Sequence, residues 1–584
     1  MTARPVFFHI GPDWTGEERL VQMFRLNGHA AACHEEGRLA EGIAHAKATG
    51  TVPLRRWGGA RLFAGLHRIN RLERPLIEGW RAFPFIAAQR PEAAFILTTR
   101  DPEGWIADRL SRRGGAVARA YAHHLNCAVS DLPEIWLSDW NDHLAAVDGF
   151  FAPGDPRLIR LDLDRETPLD LARHLAPLID LPRRPPRLHW HPPPAAHDAG
   201  TLLALLDEDR PPQLRPSPPP GIGLAEDMAA FCLRGLAPDA AVGLAGVSPL
   251  FAQWDGGGQV TRLDGAPWPV AIGPRDRDGA PRAFAQPGHH NKLERVEGVI
   301  NQILSLGRRD PVRIDMEDGR RIGSDQGRPI GQPVLAHNRR SGARNVVLWP
   351  LPGFHQPGGA TYARPDCPDP IPWDEKQDRA VWRGNISGRV EPEPAAGRPA
   401  GPTSHILLAQ LAAADDTARQ AMLEDLHRIP RFAFVRQHID NPDFDIGLVL
   451  AWSLRQHADD PFLAPLIRPA AGAGYFNRFR YQISMAGYDH PTGFLNAINR
   501  QSVLLSEMDG WEVHYSGRFR PWEHYIPLQR GCADVQSKLD WARANPARCR
   551  EMSAAARAEV AALSAPWVQA RMMALILDAL AGLG

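Results

Sequence analysis

Short apolar runs alternate with helical patterns through the first part of the chain. Pro5–Ile10 and Ala93–Thr99 are mostly apolar over the length of a buried strand, and LIRLDL at Leu158–Leu163 is the third predicted strand. The first run is followed by a loop and a helical segment over about 17–27, and the second by the helical pattern EGWIADRLSRR. Strands that alternate with helices predict an α/β domain with a parallel sheet.

The same alternation returns in the C-terminal part. Short apolar runs predict strands at Asn345–Pro350, Arg379–Gly384, Phe479–Gly487, Gln501–Glu507 and His524–Leu528. The segments SHILLAQLAAA and ADVQSKLDWARAN have helical spacing, and so does the alanine-rich end from about Pro546 to Leu583. We find no internal repeat, and the predicted fold class is α/β throughout.

Two proline-rich stretches interrupt these patterns. The first runs from Leu181 to Pro220, and because proline cannot continue a helix or a central strand, we interpret residues 182–220 as an interdomain linker. The second, Arg389–Thr403, predicts a surface loop. A chain of 584 residues is too long for one core, so we expect two or three domains.

Charge and cysteine usage exclude several classes of partner. The 67 basic and 67 acidic residues cancel, so nothing calls for a nucleic-acid partner. The six cysteines are scattered without a C-x-x-C pair, which is typical of the reducing cytoplasm, the localisation we expect. No signal peptide and no apolar run of about 18 residues is present, so we expect no membrane span and leave peripheral association open.

The loop after the first predicted strand has the position of a phosphate-binding loop. In FHIGPDWTGEERL a glycine-bearing turn leads from strand to helix, where backbone N–H groups and the helix end can bind an anion. Through Gly11, Thr15, Gly16 and Leu20, and through Arg100 at the end of a later strand, this part resembles PAPS-dependent sulfotransferases. The resemblance implies a P-loop-like sulfotransferase fold over residues 1–181.

The residues that would hold the cofactor depart from that family. Trp14 replaces the loop lysine, Glu17 and Glu18 replace hydroxyl contacts to phosphate, and Asp108 replaces the serine that joins Arg100 on the 3′-phosphate. Carboxylates repel a multiply charged anion strongly at a desolvated site. The two glutamates also suit the first turn of a helix. We therefore predict a degenerate site that does not bind PAPS, in a domain that is inactive.

A longer set of motifs lies in the C-terminal part. PIPWDEKQDRAVWRGNISGR (Pro370–Arg389), and then Arg-Tyr, Ser-Val-Leu and Pro-Trp-x-His-Tyr-x-Pro between Phe479 and Leu528, resemble glycosyltransferase family 90 over about residues 230–560. That family includes bacterial lipopolysaccharide- and capsule-modifying enzymes and eukaryotic protein O-glucosyltransferases. The resemblance implies a GT-B pair of Rossmann-like lobes, at 221–374 and 375–584, with a UDP-sugar bound in the cleft.

The resemblance also implies donor contacts on the C-terminal lobe. Arg383 and Gly384 end a predicted strand, where a guanidinium can bind two oxygens of a diphosphate. Thr492 is predicted to cap a helix whose free N–H groups can receive the diphosphate. The alternatives are an ion pair of Arg383 with Asp378 or Glu375, and packing roles for the others. The remaining donor candidates are Asp489, His490, Gly493, Phe494 and His524.

The acidic cluster in RIDMEDGRRIG (Arg313–Gly323) is the candidate for a catalytic base. Inverting sugar transfer needs a group that takes the proton of the acceptor hydroxyl, and a carboxylate commonly does so. Asp318 best matches the family's aspartate at a strand end. Asp315 and Glu317 are the alternatives, and a turn-capping role before Gly319 is the non-catalytic interpretation. By strand alternation Asp315 and Asp318 point to opposite faces.

His337 and Arg339 follow the next predicted strand and are candidates for the acceptor side. No His, Asp or Glu spacing predicts a metal site, and we expect no required cofactor beyond the donor. The sequence thus predicts an inverting glycosyltransferase that moves a sugar from a UDP-sugar to a hydroxyl of a lipopolysaccharide- or capsule-type glycan or a related acceptor. A bifunctional sulfotransferase–glycosyltransferase and a non-catalytic glycan-binding scaffold are the alternatives.

Overall fold

A computed structural model describes residues 5–69, 75–125, 127–183, 199–200, 202, 223–275, 277–287, 293–353, 369–411 and 415–583. The strands are β1 Val6–His9, β2 Ala31–Cys33, β3 Leu62–Ala64, β4 His67–Arg68, β5 Ile77–Glu78, β6 Ala93–Thr99, β7 Leu158–Asp162, β8 Ala252–Trp254, β9 Val260–Thr261, β10 Val270–Pro274, β11 Pro281–Ala285, β12 Val312–Ile314, β13 Val334–Ala336, β14 Arg339–Arg340, β15 Val346–Leu348, β16 Gln377–Gly384, β17 Phe444–Leu448, β18 Phe479–Ser484, β19 Val503–Glu507, β20 Trp511–Glu512 and β21 Ile526–Leu528. The α-helices are α1 Glu17–Leu26, α2 Arg38–Thr49, α3 Phe83–Gln89, α4 Pro102–Ser111, α5 Ala116–Leu125, α6 Leu132–Phe150, α7 Pro168–Leu175, α8 Leu224–Leu233, α9 Leu293–Ser305, α10 Ser404–Leu411, α11 Asp416–Leu426, α12 Pro430–His438, α13 Ala473–Phe476, α14 Phe494–Ile498, α15 Val535–Ala544, α16 Pro546–Leu563 and α17 Pro566–Ala581.

The chain divides into two compact units. The first comprises Met1–Arg210 and Ala252–Val312, and the second comprises Pro211–Phe251 and Arg313–Gly584. The predicted linker at 182–220 falls largely outside the described residues.

The first unit is built on a parallel sheet in the order β2-β3-β1-β6-β7. Its central strands, β1 and β6, are apolar along most of their length because helices cover both faces of such a sheet. Phe8, Phe63 and Phe95 form one stacked row on one face. The turn after β1 leads into α1, as the strand–loop–helix pattern predicts.

Residues Ala252–Val312 belong to the first unit, although the sequence boundaries assign them to residues 221–374. The physical reason is a shared core, in which α9 packs on β11 and α2 packs on both β10 and β11. Buried ion pairs also join these residues to the rest of the first unit, because Arg68 donates to Glu41 at 2.8 Å and to Glu297 at 3.0 Å. A division at the proline-rich stretch alone misses this contact.

The second unit contains a parallel sheet in the order β17-β16-β18-β19-β21. Its core joins one face of this sheet to α10, α12, α15 and α16. A second parallel set pairs β13 with β12 at Ile314 and with β15 along its length. The predicted α/β class with parallel sheets is confirmed.

The strand predictions are confirmed at the apolar runs, with ends that coincide or differ by at most three residues. The sequence analysis did not predict β17, whose five residues include Asp445 and Gly447. No single helix among the described residues is long and apolar enough to cross a membrane; α16 with 567–581 reaches that length and composition only as a pair bent by 64°.

Candidate active site

A cleft of about 970 Å³ lies in the second unit. One wall is the segment 318–328, which follows β12. The other wall consists of loops that follow β16, β18, β19 and β21, at 389–403, 487–488, 508–511 and Arg530. Parallel strands place their carboxyl ends at one edge of a sheet, which is where ligands of α/β folds bind.

Two buried side chains fix the strand ends beneath this cleft. Arg431 donates to the carbonyls of Asn385, Met485 and Ala486, and burial lowers its pKa to about 10. Glu507, at the end of β19, accepts from the Ala486 amide at 2.8 Å and from Arg530 at 2.7 Å, and burial raises its pKa. Both side chains are held by several bonds, so the loops they hold are pre-positioned.

Asp318 stands on a tight turn and faces the cleft with a third of its side chain exposed. Gly319 follows with φ of 60°, a conformation that favours glycine. A Cβ at this position would lie 2.9 Å from the Tyr488 carbonyl oxygen. The Gly319 amide donates to Asp489 Oδ2 at 3.0 Å, so Asp489 holds the turn that carries Asp318.

Asp318, His337 and Asp489 form a cluster. His337 Nε2 lies 3.8 Å from Asp318 Oδ1 and 3.3 Å from Asp489 Oδ2, and Asn338 Nδ2 donates to Asp489 at 2.9 Å. One ligand atom of each of the three lies within 4.8 Å of the others, a donor set that could hold a divalent cation. Sequence reasoning expected no metal site, because the three residues come from segments up to 171 positions apart and no local spacing reveals them.

Asp315 has a different environment from Asp318. Its side chain is fully buried and accepts from the Ser248 amide at 2.8 Å and the Glu317 amide at 3.2 Å. Arg320 Nε lies 3.8 Å away. The structure therefore places Asp315 in a packing role and leaves Asp318 as the carboxylate of this cluster that opens onto the cleft.

Arginines dominate the charge of the cleft. Its lining residues include six arginines and three carboxylates, namely Arg320, Arg321, Arg328, Arg340, Arg389, Arg530, Asp318, Glu391 and Asp509. Partial burial lowers the pKa of the Arg321 guanidinium, and the charges of Arg340, Arg389 and Arg530 lower it further. Such mutual repulsion favours binding of an anion. The sequence signal that we passed over is the run of basic residues beside glycines in DGRRIG and SGR.

Arg383 and Gly384 do not line this cleft. Arg383 borders a separate cavity of about 620 Å³, where it forms an ion pair with Asp445 and donates to the Tyr475 hydroxyl at 3.0 Å. A Cβ at Gly384 would collide with the Trp382 ring. The structure thus puts Arg383 in an ion pair, as its non-functional alternative expected, but with Asp445 and not with Asp378 or Glu375.

The run His490–Phe494 also lies outside the cleft lining. Helix α14 begins at Phe494 with Gly493 as its N-cap and no side-chain cap, so the predicted cap by Thr492 is wrong. Phe494 is buried, and its ring contacts His490 at 4.8 Å and Phe519 at 5.4 Å. Phe494 packs in the core, whereas Thr492 and Gly493 are exposed and do not line the cleft.

His524 and Arg339 are packing residues in the structure. His524 is buried, accepts from the Arg520 amide at 3.0 Å and has a pKa lowered by burial. Arg339 is 1% exposed and donates to the carbonyls of Phe231, Cys232, Arg234 and Val346 and to Glu512. Arg340, the neighbour of Arg339, lines the cleft instead.

In the predicted phosphate-binding loop of the first unit, side chains of the protein contact one another. Trp14 adopts φ of 64°, and its ring lies 4.6 Å from the Arg112 guanidinium. Glu17 accepts from the Trp14 amide at 2.9 Å and burial raises its pKa to about 7, whereas Glu18 is exposed. Arg100 donates to Asp108 at 2.6 Å, and both side chains are largely buried. The guanidinium expected to hold a phosphate is thus paired within the protein.

A carboxylate that faces an arginine-rich cleft at the strand ends is an arrangement suited to group transfer from a phosphorylated donor. Residues 473–578 match the model of the family described as Glycosyl transferase family 90. This match covers Asp489, the loop at 508–511 and Arg530. It begins after Asp318, His337 and Arg389 and does not include them. It supports a glycosyltransferase.

Two relatives that are named as protein O-glucosyltransferases agree with that class. The chain is 27% identical over 86 residues to Protein O-glucosyltransferase 3 of Rattus norvegicus, covering 14% of this chain and 16% of that protein. It is 23% identical over 97 residues to Protein O-glucosyltransferase 2 of Danio rerio, covering 17% and 19%. An uncharacterized protein of Frog virus 3 is 22% identical over 205 residues, covering 34% and 19%. The chain spans at most 19% of the length of these relatives.

Proposed function

We propose that the second unit is an inverting glycosyltransferase that uses a nucleoside diphosphate sugar, with UDP as the nucleotide and a glycan hydroxyl as the acceptor. The observation that carries this proposal is the accessible carboxylate of Asp318 in the same cleft as a surplus of arginines. The family match on the opposite wall of the cleft supports it.

In the proposed reaction the acceptor oxygen forms a bond to the anomeric carbon of the donor. Its proton passes to the Asp318 carboxylate, and the bond between the anomeric carbon and the diphosphate oxygen breaks with its electrons on the diphosphate. Guanidinium groups of the cleft stabilise that growing negative charge. Asp489 and His337 act as positioning residues, because Asp489 holds the Gly319 turn and His337 lies between the two carboxylates.

The finer features belong to the same proposal. The two parallel strand sets of the second unit serve as the two lobes of a GT-B fold, and the cleft residues Arg389 and Arg530 hold the diphosphate. No cofactor is required beyond the donor, and the chain acts in the cytoplasm. The first unit has the sulfotransferase-like fold but does not bind PAPS, a proposal that the Arg100–Asp108 ion pair supports.

A thermal-shift screen of the full chain tests this function. UDP or a UDP-sugar at a hundred times its Kd should stabilise the protein by about 2.7 kcal/mol. PAPS at the same concentration should produce no shift. The absence of a shift with every UDP species would contradict the proposed donor, and a shift with PAPS would contradict the inactive first unit.

A further inference from the structure

The loop that follows the proposed base is fixed by its own backbone. The Gly323 amide donates to the Arg328 carbonyl at 2.7 Å, the Gly327 amide donates to the Ser324 carbonyl at 3.1 Å, and the Ser324 hydroxyl donates to the Arg321 carbonyl at 2.7 Å. A Cβ at Gly327 would collide with the Arg321 carbonyl. The segment 321–328 is therefore a compact turn with a set shape.

This turn presents Arg321 and Arg328 to the cleft. Neither guanidinium has a hydrogen bond or an ion pair with any residue that the structure describes. Arg530 on the opposite wall, in contrast, is bonded to Glu391 and Glu507. Both side chains are exposed, and the charge of Glu391 acts on Arg321 without a salt bridge. Two arginines that project from a fixed turn beside a cleft and form no salt bridge are in a position to bind a ligand.

Arg321 and Arg328 are not among the arginines assigned to the diphosphate, which are Arg389 and Arg530. Of these, Arg530 is already paired with Glu391 and with Glu507, a carboxylate that does not line the cleft. Inversion also places the base and the leaving diphosphate on opposite faces of the anomeric carbon. Arg321 and Arg328 lie on the wall that carries Asp318, so they meet the acceptor.

We infer that the acceptor is an anionic glycan, whose phosphate or carboxylate group is bound by Arg321 and Arg328. This inference rests on the proposed function, since it assigns the acceptor wall of the same cleft. A guanidinium pair can bind two oxygens of either group, so the shared chemistry is a small oxyanion near the accepting hydroxyl. Burial and then the charges of Arg340, Arg389 and Arg530 lower the pKa of Arg321, and a bound anion offsets the effect of those charges.

Calorimetric titration of the full chain, saturated with UDP, tests the inference. The probes are glucose 6-phosphate, glucuronate and glucose, which share a ring and differ in charge. We expect at least one anionic sugar to bind about tenfold or more tightly than glucose. The Arg321→Gln/Arg328→Gln variant should lose that preference and keep its Kd for UDP. Arg344→Gln, an exposed arginine outside the cleft lining, is the matched control and should behave as the wild type.

The pattern across the probes separates the sources of the anion. Preference for glucose 6-phosphate alone indicates a phosphorylated acceptor, and preference for glucuronate alone indicates a uronic acid. Equal affinity of the wild type for all three sugars, with UDP binding intact, overturns the inference. The inference is also overturned if the double variant loses affinity for UDP as well as for the anionic sugar, because the two arginines then bind the donor. A wild type that does not bind UDP contradicts the proposed function itself, and the inference falls with it.

Discussion

Replacement of Gly319 by alanine isolates the turn that positions Asp318. Gly319 has φ of 60°, and an alanine in this region costs about 1–2 kcal/mol. Its Cβ would also lie 2.9 Å from the Tyr488 carbonyl oxygen, closer than ordinary van der Waals contact, so the turn must shift. A displacement on the order of 1 Å at a reacting group lowers a rate by about a hundredfold.

We therefore expect Gly319→Ala to lower kcat by about tenfold to a hundredfold with little change in the Kd for UDP. The assay is release of UDP during transfer, combined with calorimetric binding of UDP and a melting curve. Gly342→Ala is the matched control, because Gly342 has φ of 83° and no atom within 4 Å of its Cβ position. The control should lose similar stability but keep kcat. Unchanged kcat in Gly319→Ala, or an equal loss in both variants, would refute this account of the turn.

Three further perturbations test other parts of the account. Burial raises the pKa of Glu17 from 4.5 to about 7, so stability should fall as pH rises through that window and level off above it. The free energy of unfolding of Glu17→Gln should thus exceed that of the wild type by about 3 kcal/mol at pH 8 and by little at pH 4.5. Glu18→Gln is the control at an exposed position. Equal denaturation curves of Glu17→Gln and the wild type at pH 8 would contradict the raised pKa of Glu17. Arg339→Met leaves Glu512 and four carbonyls without this donor and should cost about 3–5 kcal/mol in urea unfolding, whereas a loss below 1 kcal/mol would show that the site relaxes. Glycosyl transfer should persist in EDTA, because arginines supply the positive charge. Loss of transfer in EDTA and its recovery with Mn²⁺ would instead assign the cluster Asp318, His337 and Asp489 to a bound cation.

The pattern of apolar residues predicted the fold class and the strands at the apolar runs, because a strand that is buried inside a parallel sheet consists mainly of apolar residues. β6 coincides with the run Ala93–Thr99, and β18 begins at Phe479 as predicted. The division into units was less visible. Residues Ala252–Val312 join the first unit through packing and through Glu297, contacts between segments far apart along the chain.

Sequence reasoning chose Asp318 as the candidate base because it best matches the family's aspartate at a strand end. The structure places Asp318 in the cleft lining, and its catalytic role stays a prediction. Sequence reasoning assigned the phosphate contact to Arg383, whose partner Asp445 lies 62 residues away and could not be anticipated from spacing. The arginines that do line the cleft come from four separate segments. Asp489 was taken as a donor contact, and the structure bonds it to the amide of Gly319.

Single-turnover transfer by Asp318→Asn, measured beside UDP binding, tests the central claim most directly. Asparagine keeps the shape of the side chain but cannot take the proton of the acceptor. The account predicts that transfer falls by about 10²–10⁴-fold while the Kd for UDP is unchanged. Transfer at the wild-type rate by Asp318→Asn would contradict the assignment of Asp318 as the base.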